Sequence, residues 1–197
     1  WKMLFLGVLF GLYTAAVVYA LGSFLEERFP HEETPFYTAF FSSAGVEEAV
    51  KFLFLFFLIW GNRNFNEPLD GIVYGVFVSL GFAWAENVIY VTHPILGGYE
   101  TALERALLSV PGHGLFGVRM GYYFALGKYR NRKRYLPLAF FSPYLAHALY
   151  NYFLLKREPV FWLFFSVLEV RLWVFGLKRI KELQNCSPFR EKVSKES

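Results

Sequence analysis

An all-α fold, a polytopic transmembrane helical bundle of about six spans with no soluble domain, is predicted by three features of the 197-residue chain. Hydrophobic residues make up 55% and aromatics 21%, with only 18% charged, a balance too poor in charge for a soluble domain of this size. The apolar residues gather into runs of about twenty, the length a helix rising about 1.5 Å per residue needs to cross roughly 30 Å of hydrocarbon. Proline, glycine and clustered charges punctuate these runs. Because the runs are several, neither a cleavable signal peptide nor a single anchor accounts for them.

The first span covers about 3 to 22, and Pro30 and Pro35 separate it from the second, at 36 to 60. "GNRNFNEP" (61 to 68) precedes a third span at 69 to 92, and "HPILGGYE" (93 to 100) precedes a fourth at 104 to 127. "KYRNRKRY" (128 to 135) leads to a fifth at 136 to 155, and "KREP" (156 to 159) to a sixth at 159 to 177. Residues 1–177 thus read as one bundle and 178–197 as a basic cytoplasmic tail, with no internal repeat. The sequence opens at Trp1 without an initiator methionine, which suggests a trimmed form of a longer chain.

Lysine and arginine collect on the cytoplasmic side of short loops. Residues 128–135 hold five of them (Lys128, Arg130, Arg132, Lys133, Arg134) and the tail from Lys178 holds six more. Residues 26–33 hold four glutamates (Glu26, Glu27, Glu32, Glu33) against Arg28. With six spans in a cell membrane, both termini face the cytoplasm and the acidic stretch lies outside. "KREP" runs against this trend by placing Lys156 and Arg157 outside, and 61–68 is nearly neutral.

The spans are not uniformly apolar. "AGVEEAVKFLFLFFLIW" (44 to 60) carries Glu47, Glu48 and Lys51, although a charge at the bilayer centre costs at least about 2.5 kcal/mol and persists where it lines a cavity or does chemistry. Glu47 and Lys51 share a helix face, so a lysine can neutralise one glutamate and leave the second over. The third span supplies Glu86 beside Asn87, the fourth "VPGHG" with His113, and the fifth "AHALYNYF" with His147 and Asn151 one turn apart. Pro111 is expected to bend the fourth helix near His113, and Gly114, Gly117 and Gly121 to form a packing face. Counting about 1.5 Å per residue from the outer end of each span puts Glu47 roughly 17 Å deep, Glu86 about 9 Å, His113 about 13 Å and His147 about 12 Å. Four costly side chains from four helices therefore share one layer nearer the outer face.

Histidine can bind metal or move a proton, and an asparagine amide can donate to an oxyanion. Structural ion pairs and hydrogen bonds are the bland alternative for each of these residues. Arg119, Glu169 and Arg171 are expected to form ion pairs within the bundle, and His31 and His93 to lie in loops. The only cysteine, Cys186, falls in the tail, which leaves intramembrane chemistry to Glu, His, Asn, Ser or Lys. The basic segments suit topology and anionic lipid rather than nucleic acid.

"EEAVK" (EExxK), "FAWAE" (FxxxE), "HGLFG" and "HALYN" (HxxxN), in that order on successive apolar segments, resemble the PrsW family of intramembrane proteases, distant relatives of the type II CAAX prenyl endopeptidases. The resemblance runs from about Ala44 to Asn151, inside a protease-like core of about 36–155. It implies hydrolysis of membrane-anchored protein substrates, at the first, outer-side cut of an anti-sigma factor in regulated intramembrane proteolysis. By resemblance to the CAAX enzymes, Glu47 activates water while His147 and Asn151 stand at the catalytic centre, with Asn151 supporting the oxyanion. The CAAX relatives have histidine where this chain has Glu86. Glu86, His113 and His147, with Glu48 as a further possibility, make an oxygen and imidazole set suited to Zn²⁺ with a position left for water.

The expected function is therefore a membrane endopeptidase in which Glu47 or Glu48 is the base and Lys51 supports them. A metal-free version, in which a glutamate and His147 share the proton transfers, stays open. So do a proton- or ion-coupled transporter using a Glu/His relay, and a non-catalytic scaffold.

Overall fold

The computed structural model describes residues 1–29, 34–95, 97–130 and 133–189, and every regular element among them is a helix. Helix α1 spans Lys2–Arg28; a short α2 (Pro35–Tyr37) runs through a π turn (Thr38–Ser43) into α3 (Ala44–Ile59). There follow α4 (Pro68–Thr92), α5 (Tyr99–Leu107), α6 (Ser109–Tyr129), α7 (Tyr135–Lys156) and α8 (Pro159–Asn185). Pro30, His31, Glu32, Glu33, Arg132 and the tail cations from Arg190 onward lie outside the described residues.

The helix starts follow local rules. Pro68 opens α4, and Glu67 and Asp70 cap each other's backbone there: the Asp70 carboxylate accepts the Glu67 N–H at 3.0 Å. Pro159 opens α8 after Arg157 closes α7 in the left-handed conformation, φ 53°. The expected fourth span is two helices that break at Leu108, so Pro111 falls in the first turn of α6. Its missing N–H is harmless in that position, and no bend at His113 is needed. Helix α8 runs on to Asn185, past the expected end of its span at 177.

Helices α1, α4 and α8, of 27, 25 and 27 residues, are each long and apolar enough to cross a membrane. Large apolar side chains cover the outside, among them Phe57, Trp84, Leu163, Val170 and Leu177, as expected of a membrane protein whose solvent is lipid. Inside, α4 packs along both α6 and α1. A Cβ on Gly121 would stand 2.0 Å from the Gly71 carbonyl oxygen and one on Gly75 2.5 Å from that of Gly117, so α4 and α6 touch backbone to backbone. Gly114, expected on the same face, meets only Leu80, at 3.7 Å.

Arg119, Glu169 and Arg171 form no ion pairs among the described residues. Arg119 donates to Ser142 Oγ (2.9 Å) and lies 4.4 Å over the Phe175 ring, Glu169 accepts from Trp173 Nε1 (2.9 Å), and Arg171 is exposed. A hydroxyl, a ring face and an indole serve where carboxylate–guanidinium pairs were anticipated.

Candidate active site

Side chains from α3, α4, α6 and α7 meet in one buried layer of the bundle. Helix α3 brings Glu47, Glu48 and Lys51, which are 5%, 0% and 0% exposed. The Lys51 ammonium donates to Glu48 Oε1 at 2.8 Å, to Glu47 Oε2 at 3.3 Å and to His113 Nδ1 at 3.1 Å, and sits 3.9 Å over the Phe82 ring. All three of its hydrogens are used.

From α7, His147 Nδ1 meets Glu48 Oε1 at 3.0 Å, while the Asn151 amide donates to His147 Nε2 at 3.1 Å and to Ser43 Oγ at 2.9 Å. Ser43, the last residue of the π turn, donates in turn to Glu47 Oε1 at 2.8 Å. The contacts close into a ring: Lys51, Glu48, His147, Asn151, Ser43, Glu47 and back to Lys51. Its donors and acceptors are mutually consistent when both glutamates are ionised and His147 carries its proton on Nδ1, a tautomer assigned from the network.

A branch leaves the ring at Lys51. His113 Nε2 meets Glu86 Oε2 at 3.0 Å, and Glu86 takes an ion pair from Arg105 at 2.7 Å. Arg105 also donates to Asn87 Oδ1 (2.6 Å) and Ser109 Oγ (3.0 Å), which fastens α5 to α4 and α6. Three carboxylates (Glu47, Glu48, Glu86) face two permanent cations (Lys51, Arg105), so one negative charge is left over. Phe116 stacks on His147 at 4.6 Å and Phe82 stands against His113 at 5.3 Å, walling the cluster with apolar rings.

A cavity of about 340 Å³ opens onto this layer, and its wall includes Ser43, Glu86, Arg105, His113, His147 and Asn151. Glu48 is fully buried behind that wall, and its Oε2 has no hydrogen-bond partner among the described residues. Every site residue expected from the sequence is thus in one connected network. Ser43 and Arg105 were not foreseen. Ser43 could have been found from its position four residues before Glu47, on the same helix face.

The donor set suits a metal ion. Glu47, Glu48, His113 and His147 each offer a ligand atom, all within 4.8 Å of one another and all buried. Two carboxylates and two imidazoles form an oxygen and nitrogen set of the kind that binds zinc. The Lys51 ammonium lies against three of these four residues, and Glu48 Oε2 is a buried oxygen without a hydrogen-bond partner among the described residues, which leaves it free to meet a further cation. Glu86 lies outside this foursome, on the far ring nitrogen of His113, where it fixes the tautomer that turns Nδ1 toward the cluster.

Residues 1–176 match the family described as PrsW family intramembrane metalloprotease. Among curated proteins, "Protease PrsW" of Geobacillus kaustophilus (strain HTA426) is 40% identical over 152 residues, which span 76% of this chain and 65% of that protein. "Protease PrsW" of Oceanobacillus iheyensis is 38% identical over 182 residues, 91% of this chain and 80% of its own. That of Bacillus subtilis (strain 168) is 37% identical over 154 residues, 76% and 68%. No solved structure matches the chain. Since the match runs through every helix that contributes a side chain to the cluster, the chain belongs to the PrsW family of intramembrane metalloproteases.

Proposed function

We propose that this chain hydrolyses a peptide bond of membrane-anchored proteins near the outer face of the cell membrane, with an anti-sigma-factor-like protein as the substrate. The observation that carries the reading is the buried convergence of Glu47, Glu48, His113 and His147 beside a cavity large enough for an extended peptide segment. The side of the membrane rests on the distribution of lysine and arginine along the chain, which puts the cavity's end of the bundle outside.

Glu48, His113 and His147 are the residues that would hold a zinc ion, and Glu86 would orient His113. Bound zinc would supply Lewis-acid charge stabilisation and make a water more acidic. Glu47 lies with Glu48 behind the cavity wall, but it keeps a small exposed surface and bonds to Ser43, which lines the cavity, and this favours it as the base. It accepts a proton from the water whose oxygen attacks the scissile carbonyl, then returns that proton to the departing nitrogen as the C–N bond breaks. Asn151 donates to the carbonyl oxygen as charge develops there, and to do so it gives up its bond to Ser43 or to His147. Lys51 fixes the direction of both carboxylates by donating to each of them.

The test compares new peptide termini across the proteome of membranes holding the wild type, Glu47→Gln or His147→Ala. Termini found only with wild type, just outside single-span anchors, are the expected result. Identical termini with all three folded proteins would sink the protease reading and leave a Glu/His proton relay to be tested by flux.

A further inference from the structure

We propose that Ser43 is a positioning residue of this site: its hydroxyl ties the proposed base, Glu47, to the proposed oxyanion donor, Asn151, and so sets the separation and direction of the two groups that act on opposite ends of the reacting carbonyl. The inference rests on the protease reading above.

Four observations carry it. Among the described residues, Ser43 Oγ is the one atom that hydrogen-bonds to both side chains, accepting from Asn151 at 2.9 Å and donating to Glu47 Oε1 at 2.8 Å, whereas His147 bonds to Asn151 but stands 4.0 Å from Glu47. It closes a ring whose remaining members come from α3 and α7 alone, so it adds a hydrogen-bonded link between two helices that His147 also joins here, at 3.0 Å from Glu48 and 4.0 Å from Glu47. Finally, the π turn ends on this residue. Its backbone at φ −94°, ψ −87° departs from the helical basin, and π turns concentrate at functional sites. Ser43 also lines the cavity, where the reacting segment would lie against it. A hydroxyl serves here because it accepts from an amide and donates to a carboxylate at once, which neither a methyl nor a second carboxylate can do.

The experiment measures cleavage of a membrane-anchored substrate in detergent by the full chain as wild type, Ser43→Ala, Ser43→Thr, Asn151→Ala, the Ser43→Ala/Asn151→Ala double variant and Glu47→Gln. Ser43→Ala is expected to lower kcat on the order of 10- to 100-fold, as for a small misplacement of catalytic groups, with KM and Tm little changed. Ser43→Thr, which keeps the hydroxyl, should recover most of the loss. The double variant should be only about threefold worse than Asn151→Ala, because the ring is already open. Wild-type kcat in Ser43→Ala would overturn the proposal, as would losses that multiply in the double variant. Covalent labelling of Ser43 by a fluorophosphonate would overturn it in favour of a nucleophile. If Glu47→Gln keeps full activity, the protease reading itself has failed; if Glu47→Gln is inactive and Ser43→Ala is not, only the role of Ser43 has failed.

Discussion

Lys51 decides the electrostatics of the site, because it is the one permanent cation among the ring residues and is fully buried. Replacing it by methionine keeps the length of the stem but strands two carboxylates, and breaking a buried pair in this way costs about 3–5 kcal/mol. Lys51→Met should therefore lower Tm markedly in metal-free detergent solution. Since the ammonium holds three of the four candidate ligand residues, saturating zinc should raise the Tm of Lys51→Met more than that of the wild type, which a thermal melt with and without zinc would show. Much at this scale was legible: the spacing of Glu47, Glu48 and Lys51 follows from helix geometry, and the i, i+4 pairing of His147 with Asn151 is present at 3.1 Å. The partners across helices were not legible. That His147 would choose Glu48, and His113 the pair Lys51 and Glu86, depends on helix rotations that no single segment records.

Helix α5 falls where the sequence predicts a loop and the start of a span, because its nine residues mix glutamates and an arginine with leucines. Its pattern is amphipathic: Tyr99, Leu103 and Leu107 form one exposed apolar stripe, and Arg105 turns inward to Glu86, Asn87 and Ser109. Arg105→Ala removes the only described ion pair from α5 to the rest of the bundle and leaves Glu86 without its guanidinium. Backbone hydrogen exchange over 99–107 should then speed up by at least about tenfold, while the transmembrane core exchanges as before. The contact between α4 and α6 makes a second prediction: Gly121→Leu has no space for its side chain against the Gly71 carbonyl and should cost at least about 1–3 kcal/mol, read as a lower Tm. Small residues at 117 and 121 announced this face, whereas the π turn left no mark, because six residues carry too little periodicity to separate one helical pitch from another.

For the molecule as a whole, the apolar exterior and the three long apolar helices were visible in composition and run length alone. The sidedness can be read with this 197-residue chain, since its single cysteine, Cys186, is exposed just beyond α8. A membrane-impermeant maleimide should label it in permeabilised cells and not in intact ones; labelling of intact cells would reverse the orientation. Removing metal with a chelator should abolish cleavage, and zinc should restore it, without loss of helical circular dichroism. The closed ring has a further consequence. Each side-chain hydrogen of Lys51, His147, Asn151 and Ser43 that can donate is already committed to a neighbour. A substrate carbonyl that takes a bond from any of these four must displace a neighbour, so the ring receives a guest at the cost of a contact already made.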